Sequence, residues 1–169
     1  MIRTARLVLR PAAPGDLQAL HAVYSHPVAM QYWSCAPHES IGQTAELLDG
    51  LIRTERELGP EWVIERDGAV IGRIGLWKKW EFGYLLHPDH WGQGLASEAV
   101  RAFLPPAFAR HPGMEALTAD IDPVNIGSAR VLEKAGFTVT GHAKNTFCIN
   151  GVWSDSTYYA LPRSACPTG

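Results

Sequence analysis

The sequence predicts one α+β domain built on a mixed, antiparallel-rich sheet. Three observations carry that prediction. Short runs rich in Val, Ile and aromatic residues alternate with helical patterns along the chain. Two pairs of such runs close on Asp67-Gly68 and Asn150-Gly151, dipeptides that favour the tight turns of hairpins. Twice, a β-rich run passes through a turn directly into a helical pattern. No internal repeat or break in composition divides the 169 residues, so 1–169 is expected to be a single domain, at about 100–200 residues per domain.

Arg6 to Arg10 is a short strand closed by Pro11, and Pro14-Gly15-Asp16 opens a helix carrying Leu17, Leu20 and Val23. An aromatic connector with Met30, Tyr32 and Trp33 follows His26-Pro27. Ser40 begins a second helix, with Ile41, Ala45, Leu48, Leu51 and Ile52 on one face, which Gly59-Pro60 stops. Trp62 to Arg66 and Val70 to Trp77 are the arms of the first hairpin. Trp80 to Leu86 is a further strand running through His87-Pro88-Asp89-His90 into Trp91-Gly92-Gln93-Gly94, after which Ala96, Ala99, Val100, Phe103 and Leu104 mark a helix. Pro105-Pro106 remove two amide donors and are expected to kink or end that helix, leaving Ala107 to Arg110 as a separate turn. Ala116 to Ile121 is a strand, and Asp122-Pro123-Val124-Asn125 leads to a helix from Ser128 to Ala135 capped by Gly136. Phe137 to Gly141, Thr146 to Ile149, Val152-Trp153 and Thr157 to Leu161 supply the closing hairpin, and Pro162 to Gly169 a frayed tail.

Composition removes several classes. The chain is 46% hydrophobic and 19% charged, too apolar for a disordered polymer, and no apolar run approaches the ~18 residues of a membrane helix. Fifteen basic against 17 acidic side chains leave a net charge of −2, with no general footprint for nucleic acid or anionic lipid. Cys35, Cys148 and Cys166 are odd in number and widely spaced, which argues against a disulfide framework or a zinc site. Arg3 and Arg6 stand where a secretory signal needs an apolar core, so cytoplasm is the expected compartment.

Trp91 to Ala96 lies between a strand and a helix. Glycines there let backbone approach a ligand closely, and free amides at a helix start suit a phosphate or pyrophosphate. A plain tight turn uses the same residues. Neither a Gly-x-x-x-x-Gly-Lys-Ser/Thr motif nor a Gly-x-Gly-x-x-Gly after the first strand is present, which disfavours nucleotide hydrolysis and dinucleotide redox chemistry.

Glu81-Phe82-Gly83-Tyr84-Leu85-Leu86-His87-Pro88, continuing into Trp91-Gly92-Gln93-Gly94-Leu95-Ala96-Ser97-Glu98-Ala99, resembles the acetyl-CoA-binding motif of the GNAT superfamily of N-acetyltransferases. Asn125-x-x-Ser128-x-x-Val131-Leu132-Glu133-Lys134-Ala135-Gly136-Phe137 resembles the motif that follows it. Thr4 to Pro11, Gly72 to Leu76 and Asn150 to Asp155 are similar to the opening, central and closing segments of its RimJ/RimL-like branch of ribosomal-protein N-acetyltransferases, so the likeness spans about 3–161. It implies an α/β/α sandwich: a mostly antiparallel seven-stranded sheet flanked by about four helices.

By position, the resemblance implies that Tyr84, Leu85 and Leu86 hold the pantetheine arm through backbone groups, with the pyrophosphate on the amides of Gly92, Gln93, Gly94, Leu95, Ala96 and Ser97. Trp91 stands where the family has Gln or Arg, a variant common in this branch. Asn125 matches a pantetheine contact, Ser128 a hydroxyl near the sulfur, and Glu81 a strand acid usable as general base. Leu132 occupies the position of the tyrosine that many members use as proton donor, so that mechanism is absent.

The implied reaction is direct transfer of acetyl from acetyl-CoA to a primary amine, either a protein N-terminal α-amine or a small amine. The alternative is a non-catalytic acyl-CoA-binding or regulatory module. An α-amine near ~8 loses its proton more readily than a lysine near ~10.4, and a thiol near ~8.5 leaves with little help, so the chemistry is mostly positioning. Glu81 is read as base through water, or else as an acid paired with Lys78 or Lys79; Ser128 as proton donor, or else as a helix cap. Arg130, with Lys134 and Arg101, is read as reaching the outer phosphate of the cofactor, or else as a solvated face. Trp33, Trp77, Trp80 and Trp153 are either acceptor walls or core. His87 and His90 lack a third ligand, so no metal is expected. Exposed strands of the closing hairpin allow a homodimer.

Overall fold

The computed structural model describes residues 1–78 and 80–167. Eight strands form one sheet in the order β1-β2-β3-β4-β5-β6-β8-β7: β1 Ile2–Arg3, β2 Val8–Pro11, β3 Glu61–Arg66, β4 Ala69–Lys78, β5 Glu81–Leu86, β6 Ala116–Ile121, β7 Thr138–Ile149 and β8 Val152–Pro162. Every neighbouring pair is antiparallel except β5 and β6. The strand beyond the expected seven is β1, whose two residues pair with Val8 and Leu9 and are too few to show a period of their own.

Five helices flank the sheet: α1 Leu17–Tyr24, α2 Pro27–Met30, α3 Ile41–Glu57, α4 Leu95–Arg110 and α5 Ile126–Lys134. On one face, α4 and α5 bury Val100, Phe103, Leu104 and Leu132 against Ile64, Ile74, Phe82 and Leu117. On the other, α1 and α3 bury Leu20, Leu48 and Leu51 against Val63 and Leu85. The four-residue α2 sits in the connector between them, His26 Nδ1 accepting from the amides of Val28 and Ala29.

Both hairpins turn where the dipeptides place them. Asp67 and Asn150 each have φ 51°, and Gly68 and Gly151 each have φ 81°, the doubly left-handed geometry that matches strand twist. Ser40 caps α3, and Gly136, at φ 95°, ends α5.

Three expectations fail. Pro105 and Pro106 lie inside an unbroken α4. Phe103, Leu104 and Phe108 around them are buried, and at about 1.5–3 kcal/mol per side chain this offsets the roughly 3 kcal/mol that a helical proline costs. The closing strands are not split: β7 runs through two irregularities, after Val139 and after Ala143. The tail is docked, not frayed, as far as Cys166, because Arg163 donates to the carbonyls of Met114 at 2.9 Å, Phe108 at 3.0 Å and His111. Residues 168 and 169 of the expected tail lie outside the described residues. No helix among the described residues is long and apolar enough to cross a membrane.

Candidate active site

The two parallel strands part almost as soon as they meet. β5 and β6 share one register pair, Glu81 with Thr118, where the Trp80 carbonyl accepts from the Thr118 amide at 2.7 Å and its hydroxyl at 2.9 Å. Beyond that pair, Phe82 to Leu86 have β4 as their only strand partner, so alternate backbone groups on the β6 side are left for a ligand. A groove of about 1490 Å³ passes through this gap from one sheet face to the other. Exposed Tyr32, Trp77, Trp91, Val124, Ile126 and Val152 line it, apolar surface whose exposure a bound ligand would end.

At one end, the loop after β5 forms a cradle. Gly92 and Gly94 take φ of 70° and 76°, and Gly94 caps α4 with no side chain covering the first-turn amides of Leu95, Ala96 and Ser97. These residues suit a pyrophosphate. Trp91 holds the loop to the strand, its indole N–H donating to the Leu86 carbonyl at 2.9 Å. Gln93, expected to bind cofactor, does not line the groove. Its amide donates to the Asp89 carbonyl at 2.9 Å and accepts from Arg66 at 2.6 Å.

Arg6 braces the same loop: its guanidinium donates to the Gln93 carbonyl at 2.8 Å and to Glu98 at 2.7 Å. Thr4 donates to the other Glu98 oxygen at 2.6 Å. Partial burial pushes Glu98 up, but bonds from Thr4 and Arg6 outweigh it and hold the carboxyl below its usual range. The bracing by Thr4, Arg6 and Arg66 is not legible in the sequence, since it joins residues more than 25 apart.

On the α5 side of the gap, the Tyr84 hydroxyl donates to Ser128 Oγ at 3.0 Å. Burial pushes the Tyr84 phenol up to about 12, so it stays protonated. Asn125 caps α5, its Oδ1 accepting from the Ser128 amide at 3.1 Å. The cap is therefore Asn125, and the Ser128 hydroxyl keeps a proton to offer in the groove. On the acetyl transfer that the sequence resemblance implies, replacing Ser128 by Ala is expected to lower kcat by about 10²-fold, the low end for a proton donor because a thiol leaves easily, with acetyl-CoA affinity unchanged. Equal kcat in wild type and variant would leave Ser128 no catalytic part.

The α1–α3 face is different in character. Gly75 and Gly83 make room for side chains that pack directly on the sheet: a Cβ on Gly75 would lie 2.1 Å from Glu61 Oε2, and one on Gly83 3.3 Å from the Trp33 ring. Glu61 is bonded twice to Arg73, at 2.9 and 2.6 Å, both side chains almost wholly buried. Burial drives the Glu61 carboxyl up against the pull of that guanidinium, while Glu61 overcomes the opposite effect of burial on Arg73 and keeps it charged. Glu81 Oε1 accepts from Trp77 at 2.8 Å and pairs with Lys78 at 3.2 Å; Lys79, the other expected partner, lies outside the described residues. Asp120, overlooked in the sequence, also lines the groove, and its buried Oδ1 has no hydrogen-bond partner among the described residues.

Other expected residues separate. Arg130 and Lys134 line the groove, whereas Arg101 donates to the Lys134 carbonyl at 3.2 Å. Trp33 and Trp77 are walls; Trp80 packs on the α4 core beside His111, and Trp153 is exposed away from the groove. Among the described residues no three His, Cys, Asp or Glu side chains are placed to hold a metal.

Residues 6–138 match the acetyltransferase (GNAT) domain family. An uncharacterized N-acetyltransferase of Bacillus subtilis, YoaA, is 29% identical over 96% of this chain and 97% of its own. Among solved structures, spermidine N-acetyltransferase from Vibrio cholerae, in complex with CoA and spermine, is similar with a TM-score of 0.80 at 24% identity, over 96% of this chain and 98% of that one. An acetyltransferase from Salmonella typhimurium that modifies the N-terminal serine of a ribosomal protein has a TM-score of 0.82 at 22% identity, over 94% and 96%. At such identities the two structures speak for the fold.

Proposed function

The chain belongs to the acetyltransferase (GNAT) domain family, and on that premise we propose how its residues divide the work of an acetyl-CoA-dependent N-acetyltransferase. The observation that carries the reading is the gap between β5 and β6, opening beside a glycine loop whose helix amides are uncovered. Acetyl-CoA supplies the activated acetyl group, a thioester whose thiol is a good leaving group.

The open edge of Tyr84, Leu85 and Leu86 holds the pantetheine arm by backbone bonds, and the amides of Gly92 and Gly94 to Ser97 hold the pyrophosphate. Gln93 serves as a brace, and Arg130 reaches the outer phosphate. Asn125, with Oδ1 spent on the cap, keeps its NH₂ for the pantetheine. Ser128, fed by Tyr84, protonates the departing sulfur on the α5 face. The acceptor amine enters from the α1–α3 face between Trp33 and Trp77, where Glu81 draws its positive charge and takes up a proton through water. Base and donor thus stand on opposite faces of the sheet with the thioester between them, so the amine loses its proton on one side and the departing sulfur gains one on the other.

The acceptor is a primary amine on a peptide or a small molecule. Release of thiol from acetyl-CoA, followed with spermidine and with a peptide bearing a free N-terminal serine, tests this. Saturable acetyl-CoA binding with no thiol release on any amine would overturn it. Unpaired cysteines favour the reducing cytoplasm. The outer strand β7 and exposed Val152 and Trp153 favour pairing of two copies, for which light scattering should return twice the 18.5 kDa chain mass.

A further inference from the structure

Glu81 is not alone on the acceptor face. It and Thr118 are register partners, so their side chains share one side of the sheet. Asp120 lies two residues beyond Thr118 and so projects to that same side, while Leu117 and Ala119 turn into the α4 core. Both carboxylates line the groove. They differ in what they are free to do. Glu81 Oε1 is shared by Trp77 and Lys78, whereas Asp120 keeps a buried oxygen with no partner among the described residues. A desolvated, unanswered carboxylate oxygen is costly unless a ligand answers it.

We propose that Asp120 is the second carboxylate of the acceptor site: its free Oδ1 accepts the hydrogen bond of the incoming ammonium and then holds the proton that frees the amine for attack. This rests on the acetyltransferase reading and deepens it. Of the three N–H protons of the ammonium, one passes to Asp120 and on through water to Glu81, one ends on the thiol of coenzyme A, and one remains on the product amide. The new C–N bond forms at the acetyl carbon as its C–S bond breaks, so atoms and charge balance.

The surroundings suit the task. Burial raises the Asp120 carboxyl, the Ser156 hydroxyl opposes this, the charge of Glu81 raises it further, and Lys78 lowers it. Two like charges facing one site share a proton more readily than either alone would take it. Asp120 is therefore a base closer to neutrality than an ordinary aspartate, which a general base needs.

The test is the pH dependence of kcat/KM for the acceptor, with spermidine and the serine peptide as probes. Asp120→Asn is expected to lower kcat/KM by about 10²-fold and to flatten the acidic limb, with acetyl-CoA affinity unchanged. Ser156→Ala, which removes a hydroxyl that favours the charged form, should move the acidic limb to higher pH. Glu81→Gln removes a repelling charge and should move it to lower pH. Those two shifts are read without touching Asp120, so they decide the matter even if Asp120→Asn folds poorly. Wild-type turnover with all three variants keeping the wild-type limb would overturn this proposal alone. No wild-type turnover would overturn it together with the acetyltransferase reading.

Discussion

Substituting Arg73 by Met is expected to lower the free energy of unfolding by about 3–5 kcal/mol at neutral pH, because it strands the Glu61 carboxylate in a site almost wholly closed to water. The loss has a pH signature. Without the guanidinium, the folded-state pKa of Glu61 stands far above its unfolded value, so the native state binds the extra proton. A group raised in this way stabilises the fold below the unfolded pKa, about 4.3, and loses that contribution as pH rises. The deficit is therefore smallest in acid and grows toward neutrality. Adding Glu61→Gln to the variant should recover part of it. Urea unfolding at several pH values measures both effects, and a deficit under about 1 kcal/mol at every pH would show that the pair does not hold this face together.

Gly94→Val is expected to weaken acetyl-CoA binding by at least about tenfold, or roughly 1.4 kcal/mol. Gly94 has φ 76°, where a side chain costs roughly 1–2 kcal/mol and a β-branched one is worst placed. Space is not the obstacle, since the nearest atom to an added Cβ is an Arg6 nitrogen at 3.6 Å. The loop must instead leave its left-handed turn, and the amides at the start of α4 lose their common direction. Calorimetric titration with coenzyme A measures the loss. An unchanged dissociation constant in a folded variant would exclude the loop as the phosphate cradle.

What the sequence reveals follows from how local each feature is. Asp67-Gly68 and Asn150-Gly151 announce their turns because positive φ is a property of two adjacent residues. The loop from Trp91 to Ser97 is legible for the same reason, as is the cap at Ser40. Contacts set by register are not. Glu61 and Arg73 meet across a hairpin diagonal, Tyr84 and Ser128 are 44 residues apart, and the spare oxygen of Asp120 depends on which neighbours leave it unanswered. Pro105-Pro106 misleads in the opposite direction, since their local cost is offset by burial that no short window displays. Ser128 is the instructive case: its place early in a helix fits a cap equally well, and only the Asn125 bond assigns that duty elsewhere.

With the glycine loop as the proposed phosphate cradle, the brace from Thr4 and Arg6 to Glu98 and Gln93 makes the outer edge of the sheet a party to cofactor binding. Coupling between two such equilibria is reciprocal. Coenzyme A, by ordering the glycine loop, tightens the hold of the first strands on the domain by the same free energy with which those strands improve the loop. Acid acts on both at once, for the contribution of Glu98 is present above its unfolded pKa and is lost as pH falls through its lowered folded value. The first ten residues are in this sense a remote part of the binding site, and a chain trimmed there surrenders affinity although no missing atom touched the ligand.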